Sequence, residues 1–404
     1  MNVLFLCCAY SQNKLEEFRL ASKRGYQFAA QNFQESILQG LIENDVQTSV
    51  LSIPSLSTWP LGFSTPFIPS HPFLFKEKEM GLSCGYINVL GLNRVSYNKV
   101  KSFICEWIRG DEDDKSILVY GLHVNLMELA LSAKRDFPKL HLGIVMPDLP
   151  QYMGYNKYLK ALGAQKRNVQ RVNQMVRKFD SYFPLAKDMM TVLSLNNKPY
   201  SVIEGVFSGS FPNVPKDQHK VVLYSGGINR RYGVKDLLSA FGMISNPNFR
   251  LWICGAGDMA EEINAAMNKD NRIQFYGQVP HTLVLELQKK ATVLVNPRHS
   301  FEEFTQYSFP SKTLEYLASG SAVVMSHLKS IPSEYDQYLF YFEDESPEGM
   351  SQTIERVCSI DMTSLEMRGK NASEFIYTYK NAKNQVAKIL KTITENMEHV
   401  PVGK

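Results

Sequence analysis

The 404-residue sequence has no apolar stretch approaching the ~18 uncharged residues that a membrane-spanning helix requires, which excludes a helical membrane span. It has little excess charge of either sign: 44 Lys and Arg stand against 40 Asp and Glu, too even a balance for a protein that coats nucleic-acid phosphates. Its six cysteines, Cys7, Cys8, Cys84, Cys105, Cys254 and Cys358, form no Cys-x-x-Cys pair and no zinc spacing, so they read as reduced, packed thiols. Low-complexity tracts and visible internal repeats are missing, and so are histidine clusters and any Ser, His and Asp order suited to acyl chemistry. Met1 runs directly into apolar residues without a basic leader, so no export is expected and a cytoplasmic location follows.

What remains is an ordinary globular composition, 44% apolar and 21% charged, long enough to divide its core between two domains. Val3 to Cys8 reads as a buried strand, Phe28 to Ile42 as a helix and Val46 to Ile53 as a second strand. Pro54 to Leu92, rich in Ser, Pro, Gly and Phe, is expected to be a long loop or substrate-facing insertion. The alternation resumes with strands at Ile117 to Tyr120, Leu140 to Met146 and Ser181 to Leu185. It restarts at Lys220, with strands at Val221 to Tyr224, Arg250 to Cys254, Ile273 to Tyr276, Thr292 to Asn296 and Ala322 to Ser326, each but the last followed by a helical pattern. Strands and helices alternating at this period predict an α/β protein with two doubly wound parallel-sheet domains facing across a cleft. The boundary is expected in the Gly, Ser and Pro cluster of 206–219, giving an N-terminal domain over 1–205 and a second domain over 220–380. The segment 381–404, with Val386, Ile389, Leu390 and Ile393 at helical spacing, is expected to pack back across the domains.

In such sheets ligands bind beyond the carboxyl ends of the strands, and two segments there carry suitable chemistry. Gly226 and Gly227 end the strand at Val221 to Tyr224, ahead of Arg230 and Arg231. The glycines admit close backbone approach to a ligand, and the arginines offer bidentate hydrogen bonds to a diphosphate. Gly255 begins a weaker Gly-x-Gly turn after the next strand. The second segment runs from Arg298 through Glu302, Glu303, Tyr307, Ser308, Phe309, Ser311, Lys312 and Glu315 to Gly320. A helix starting near Ser311 aims its free amides and positive dipole end at the loop, Lys312 adds a fixed charge, and Glu315 is placed to accept hydrogen bonds from a ribose diol. In the first half, Asp148 and His123 each follow a strand end and are the candidate cleft side chains. Residues 151–187 hold eight Lys and Arg against the single acid Asp180. Val169, Val172, Met175, Val176 and Phe179 share one helical face, either packed on the N-terminal sheet or resting near anionic lipid.

The stretch from Lys220 to Ser326 resembles the nucleotide-binding domain of the retaining glycosyltransferases of family four, especially the bacterial polysaccharide transferases. Four phrases in order carry the resemblance: YSGGINRRYGVKDLLSAF, WICGAGDM, RIQFYGQVPHTLVLELQKKATVLVNPR and FPSKTLEYLASGSAVV. The resemblance implies the two-domain glycosyltransferase B fold, a nucleotide diphosphate-sugar donor (UDP by default), a saccharide or lipid-linked acceptor, and retention of configuration. It also implies a pair of glutamates separated by seven residues, of which Glu315 is the second while Tyr307 occupies the first position. The positions that carry the diphosphate-binding Arg and Lys in the family are Gly227 and Tyr232 here, which leaves Arg230 or Arg231 to supply that charge. The donor set is accordingly Gly226, Gly227, Arg230, Gly255, Arg298, Tyr307, Ser308, Phe309, Ser311 and Glu315, with Asp148, His123, Arg231 and Lys312 as catalytic candidates. No metal or other cofactor and no nucleic-acid partner is expected; a peripheral membrane contact through 151–187 is the alternative to packing on the N-terminal sheet. The rival readings are a nucleotide-sugar epimerase on the same fold and a two-domain solute-binding module without chemistry.

Overall fold

The computed structural model describes residues 1–23, 28–89, 94–95, 97–110, 114–152 and 163–398. The chain forms two compact units: Met1–Val206 together with Ala382–Lys404, and Phe207–Asn381.

The first unit contains β1 (Asn2–Cys7), β2 (Gln47–Ser52), β3 (Phe67–Ile68), β4 (His71–Phe75), β5 (Lys78–Ser83), β6 (Tyr86–Ile87), β7 (Arg94–Val95), β8 (Lys115–Tyr120), β9 (His141–Met146) and β10 (Ser181–Pro184). Its main sheet runs β10-β9-β8-β1-β2-β5-β4, parallel except for β4 on the edge. All six residues of β1 are buried, as expected of a strand covered on both faces. The stretch 54–92 departs from the loop expected of it. It supplies the hairpin β4–β5 and two strands of the small sheet β3-β6-β7. Lys76 (φ 48°) and Glu77 (φ 64°) make the two-residue hairpin turn in the left-handed region, without the Asn-Gly or Asp-Gly pair that would mark it in sequence.

Of the basic segment, Lys157 and Lys160 lie outside the described residues. The helix Ala164–Val176 buries Val172, Met175 and Val176 while Arg167, Arg171 and Lys178 remain exposed, so its apolar face is core and only its basic side meets solvent. The helix Ala382–Glu398 joins the same unit, with Val386, Ile389 and Ile393 fully buried in the cluster that holds Ile37, Leu38 and Leu41. Gly40 permits this packing: a Cβ there would stand 2.3 Å from the Ala382 carbonyl oxygen.

The second unit contains β11 (Lys220–Ser225), β12 (Phe249–Cys254), β13 (Ile273–Gly277), β14 (Val293–Asn296), β15 (Ala322–Met325) and β16 (Leu339–Tyr341), all parallel in the order β13-β12-β11-β14-β15-β16. The connection direction reverses between β11 and β14, which makes the space beyond their carboxyl ends the ligand crevice of this sheet. Helices Val234–Met243, Ala260–Lys269, His281–Lys290 and Ser311–Ser319 link the strands, and Pro347–Cys358 and Met362–Tyr379 follow β16.

Candidate active site

The glycine loop after β11 is fixed by its neighbours. Gly226 donates its N–H to the Cys254 carbonyl (3.0 Å), and Ile228 donates to that of Ala256 (3.1 Å). Gly255 has φ +143°, and a Cβ there would fall 1.8 Å from the Gly226 carbonyl oxygen, so the two loops touch backbone to backbone only because this position is glycine.

Across the crevice, the helix Ser311–Ser319 begins after Pro310 and stops at Gly320 in the left-handed conformation (φ +75°). Tyr316, fully buried, ties this helix to β11: its hydroxyl accepts the Ser225 N–H (2.8 Å) and donates to the Ser225 carbonyl (3.0 Å). Gln288, buried on the helix His281–Lys290, donates its amide hydrogens to Ser225 Oγ (2.9 Å) and Glu315 Oε1 (2.6 Å). Lys312 Nζ donates to the same carboxylate oxygen (2.7 Å), and His281 Nε2 lies 2.9 Å from Oε2. Burial alone would raise the Glu315 pKa, but His281, Lys312 and Gln288 overcome it and hold the carboxyl at about 2. The result is an ionised, largely buried carboxylate one turn into a helix whose first amides, those of Ser311 and Lys312, have no partner within the helix.

Two arginines flank the loop on the β14 side. Arg231 and Arg298 place their guanidinium carbons 4.8 and 4.7 Å from the centre of the Tyr232 ring, and 5.3 and 5.4 Å from that of Phe304. Arg230 turns the other way, to the Glu262 carboxylate, while its N–H meets Asp258 Oδ1 (3.1 Å). Phe309 is buried, its ring 5.6 Å from that of Tyr335, so its side chain packs in the core. Tyr307 and Ser308 lie on the loop before the helix, and the Ser308 carbonyl accepts a hydrogen bond from Ser330 (3.1 Å). The structure thus brings together Gly226, Gly227, Gly255, Lys312 and Glu315, adds Arg231 and Arg298 beside them, and separates Arg230. Sequence reading missed Gln288, His281 and Tyr316. Only Gln288 left a trace, as a polar residue on the apolar face of its helix.

The first unit has its own strand edge. His123 follows β8, with Nε2 3.8 Å from Cys8 Sγ, and Gly121 in the left-handed conformation (φ +79°) leaves room for its ring. Burial lowers the His123 pKa and pushes the Cys8 thiol up to about 12, so both groups are neutral at pH 7. Asp148 follows the adjacent strand β9 and is exposed. Among the described residues no group of three or more His, Cys, Asp or Glu side chains is placed to hold a metal, and no helix is long and apolar enough to cross a membrane.

Residues 209–375 match the family described as Glycosyl transferases group 1. No curated protein sequence matches the chain. Among solved structures, a sucrose-phosphate synthase from Thermosynechococcus elongatus superposes with TM-score 0.64 at 14% identity, covering 98% of this chain and 99% of the other. A trehalose-6-phosphate protein from E. coli, bound with UDP-2-fluoro glucose, gives TM-score 0.63 at 8% identity over 99% and 100% of the two chains. Anabaena HepE in complex with UDP gives 0.60 at 12% over 98% and 100%. The chain therefore has the two-domain glycosyltransferase B fold, and residues 209–375 within it match the model of the Glycosyl transferases group 1 family.

Proposed function

We propose that the protein is a glycosyltransferase that moves a sugar from a nucleoside diphosphate donor, UDP by default, to a saccharide or lipid-linked acceptor with retention of configuration. The observation that carries this reading is the ionised Glu315 carboxylate, fastened through Gln288 to the end of β11 and facing the Gly226–Gly227 loop at the reversal point of a parallel sheet. An anionic acceptor group of this kind suits a ribose diol, and the exposed loop backbone suits a diphosphate that must approach closely. Similar folds crystallised with UDP and with UDP-2-fluoro glucose support the choice of ligand class.

In this mechanism the sugar–diphosphate bond breaks as negative charge grows on the leaving diphosphate. Lys312, Arg231 and the free amides of Ser311 and Lys312 stabilise that charge, being oriented before the reaction starts. Lys312 is held by Glu315 at 2.7 Å, within reach of a phosphate placed at the helix start. Asp148 and His123 serve the acceptor side from the first unit, Asp148 as an orienting carboxylate and His123 as a neutral imidazole. No step calls on a metal.

The test is nucleoside diphosphate release from a panel of UDP, GDP, ADP and dTDP sugars, with and without oligosaccharide acceptors, for the wild type and Glu315→Gln. Acceptor-dependent release that falls at least tenfold in the variant is expected. A new sugar isomer formed from donor alone would mean an epimerase, and unchanged turnover in Glu315→Gln would remove the carboxylate from the site.

A further inference from the structure

Three side chains hold the Glu315 carboxylate, and they hold its two oxygens unevenly. Oε1 accepts hydrogen bonds from Gln288 (2.6 Å) and Lys312 (2.7 Å), while the partner of Oε2 among the described residues is His281 Nε2 (2.9 Å). Because the carboxylate is ionised, the His281 nitrogen facing it carries the hydrogen. The three partners also differ in their freedom to leave. Gln288 is fully buried and bonded to Ser225 as well; Lys312 is 35% exposed by side chain, and His281 58%. His281 is the first residue of the helix His281–Lys290, and Gln288 lies about two turns further along it. One helix therefore holds the carboxylate at a fixed, buried point and at a loose, exposed one.

A carboxylate offers about four acceptor positions, two on each oxygen. Gln288 and Lys312 fill those of Oε1, and Lys312 keeps its charge beside the anion seat of the diphosphate at the start of its own helix. Only Oε2 is left for a ribose diol, whose two hydroxyl groups need both of its positions. In the empty site His281 stands on one of them. Glu315 itself is only 16% exposed, so the most exposed of its partners closes the solvent side of the carboxylate. A diol that engages Oε2 fully has to move the imidazole away.

We infer that His281 is a placeholder for the ribose: it occupies Glu315 Oε2 in the empty site, gives way to a ribose hydroxyl, and thereby sets how strongly the site prefers ribose to a sugar lacking those hydroxyls. The inference rests on the reading of this crevice as the donor site. His281 is a specificity-determining residue here and not a catalytic one. It keeps Glu315 aimed and satisfied before the ligand arrives, and it lowers affinity for the ligand that must displace it. Removing the imidazole therefore tightens ribonucleotide binding, the opposite of what removing Glu315 does.

The experiment is calorimetric titration of the full-length protein at one fixed pH. The wild type is titrated with UDP, ADP, GDP and inorganic pyrophosphate. The tightest nucleotide and its 2′,3′-dideoxy analogue are then compared in His281→Ala, His281→Gln, Glu315→Gln and the His281→Ala/Glu315→Gln double variant, with circular dichroism melting to check that each is folded. His281→Ala is expected to tighten the ribonucleotide about threefold, the scale of one exposed ion pair. Its affinity for the dideoxy analogue and for pyrophosphate is expected to stay at the wild-type value. His281→Gln, which keeps a donor, is expected to lie nearer to wild type, and His281→Ala is expected to have no effect once Glu315 is Gln. Weaker or unchanged ribonucleotide binding in His281→Ala, or equal tightening of the ribonucleotide and its dideoxy analogue, would overturn the inference. If Glu315→Gln still weakened the ribonucleotide in that case, the donor-site reading would stand without the placeholder. A wild type that binds none of the nucleotides would overturn both.

Discussion

The two strand edges of this molecule are built on opposite electrostatic plans. In the second unit the crevice beside β11 is lined with full charges, Glu315, Lys312, Arg231 and Arg298, and one of them is kept ionised against burial by a dedicated hydrogen-bond network. In the first unit the edge beside β1, β8 and β9 holds Cys8, His123 and Tyr120, all neutral at pH 7, with the single acid Asp148, whose pKa desolvation raises. A charged crevice suits a ligand that brings its own charge and gains more as it leaves. A neutral, desolvated edge suits hydroxyl groups that need orientation and no counter-ion. The difference also predicts how each half fails.

The largest expected effect breaks the charged side through its backbone. Gly255→Ala pushes a methyl group to 1.8 Å from the Gly226 carbonyl oxygen in a conformation that side chains rarely adopt. A destabilisation of about 3 kcal/mol or more is expected, with loss of nucleotide binding. Urea denaturation and UDP titration check it; a variant within about 0.5 kcal/mol of wild type would mean the two loops are not held together as described.

Next, a buried histidine in the first unit and Glu315 in the second predict separate acid windows. Burial pushes His141 in the first unit down to about 4, while Asp180 and Lys134 pull in opposite directions, and its ring nitrogens lie 3.1 and 3.0 Å from Ser116 and Ser181 hydroxyls. The folded state therefore takes up its proton later than the unfolded chain, so stability falls as pH drops from about 6.5 to about 4, by roughly 3 kcal/mol. Glu315 behaves differently: its folded pKa of about 2 lies below the ordinary 4.5, so its contribution is complete above about 4.5 and is lost between there and about 2, again by roughly 3 kcal/mol. Hydrogen exchange by mass spectrometry resolves the units. His141→Gln is expected to flatten the upper window in the first unit alone, and Glu315→Gln the lower window in the second. Coincident loss of protection in both units within one window would refute the division.

A smaller effect sharpens the account of how Glu315 is held. Gln288→Leu removes the donor shared by Glu315 and Ser225, and a loss of about 1 to 3 kcal/mol is expected because both partners stay buried. The Glu315 carboxyl should rise from about 2, visible as an acid limb that moves up in pH. An unmoved acid limb would show that Lys312 and His281 suffice.

Much of this contrast was legible in the sequence on one side and little on the other. The second unit shows in the chain because its function sits in local phrases: glycines that end strands, and a helix start with Lys312 and Glu315 three residues apart on one face. Gln288 and Tyr316 were hidden because their partners are 63 and 91 residues away, distances at which no local pattern operates. In the first unit the hairpin β4–β5 was hidden by a turn formed by Lys76 and Glu77, residues that carry no turn signal. Charge also misleads when read without geometry. Arg230 and Arg231 are adjacent in sequence and equivalent as diphosphate candidates, yet one faces Glu262 and the other the rings that hold Arg298.

That pair supplies the smallest and most discriminating prediction. Arg230 and Glu262 are both well exposed, 58% and 43% by side chain, so the solvent screens their attraction and an exposed pair of this kind contributes between about 0 and 1 kcal/mol. Arg230→Ala should leave urea stability within about 0.5 kcal/mol of wild type and UDP affinity unchanged. Arg231→Ala should leave stability equally untouched but weaken UDP about tenfold, because its charge faces the crevice and has no carboxylate of its own among the described residues. The comparison works because the two substitutions remove the same group one residue apart. If Arg230→Ala proved the more damaging to UDP binding, the Glu262 pair would have to open when nucleotide arrives, and the anion seat would lie on the β12 side of the glycine loop instead of the β14 side.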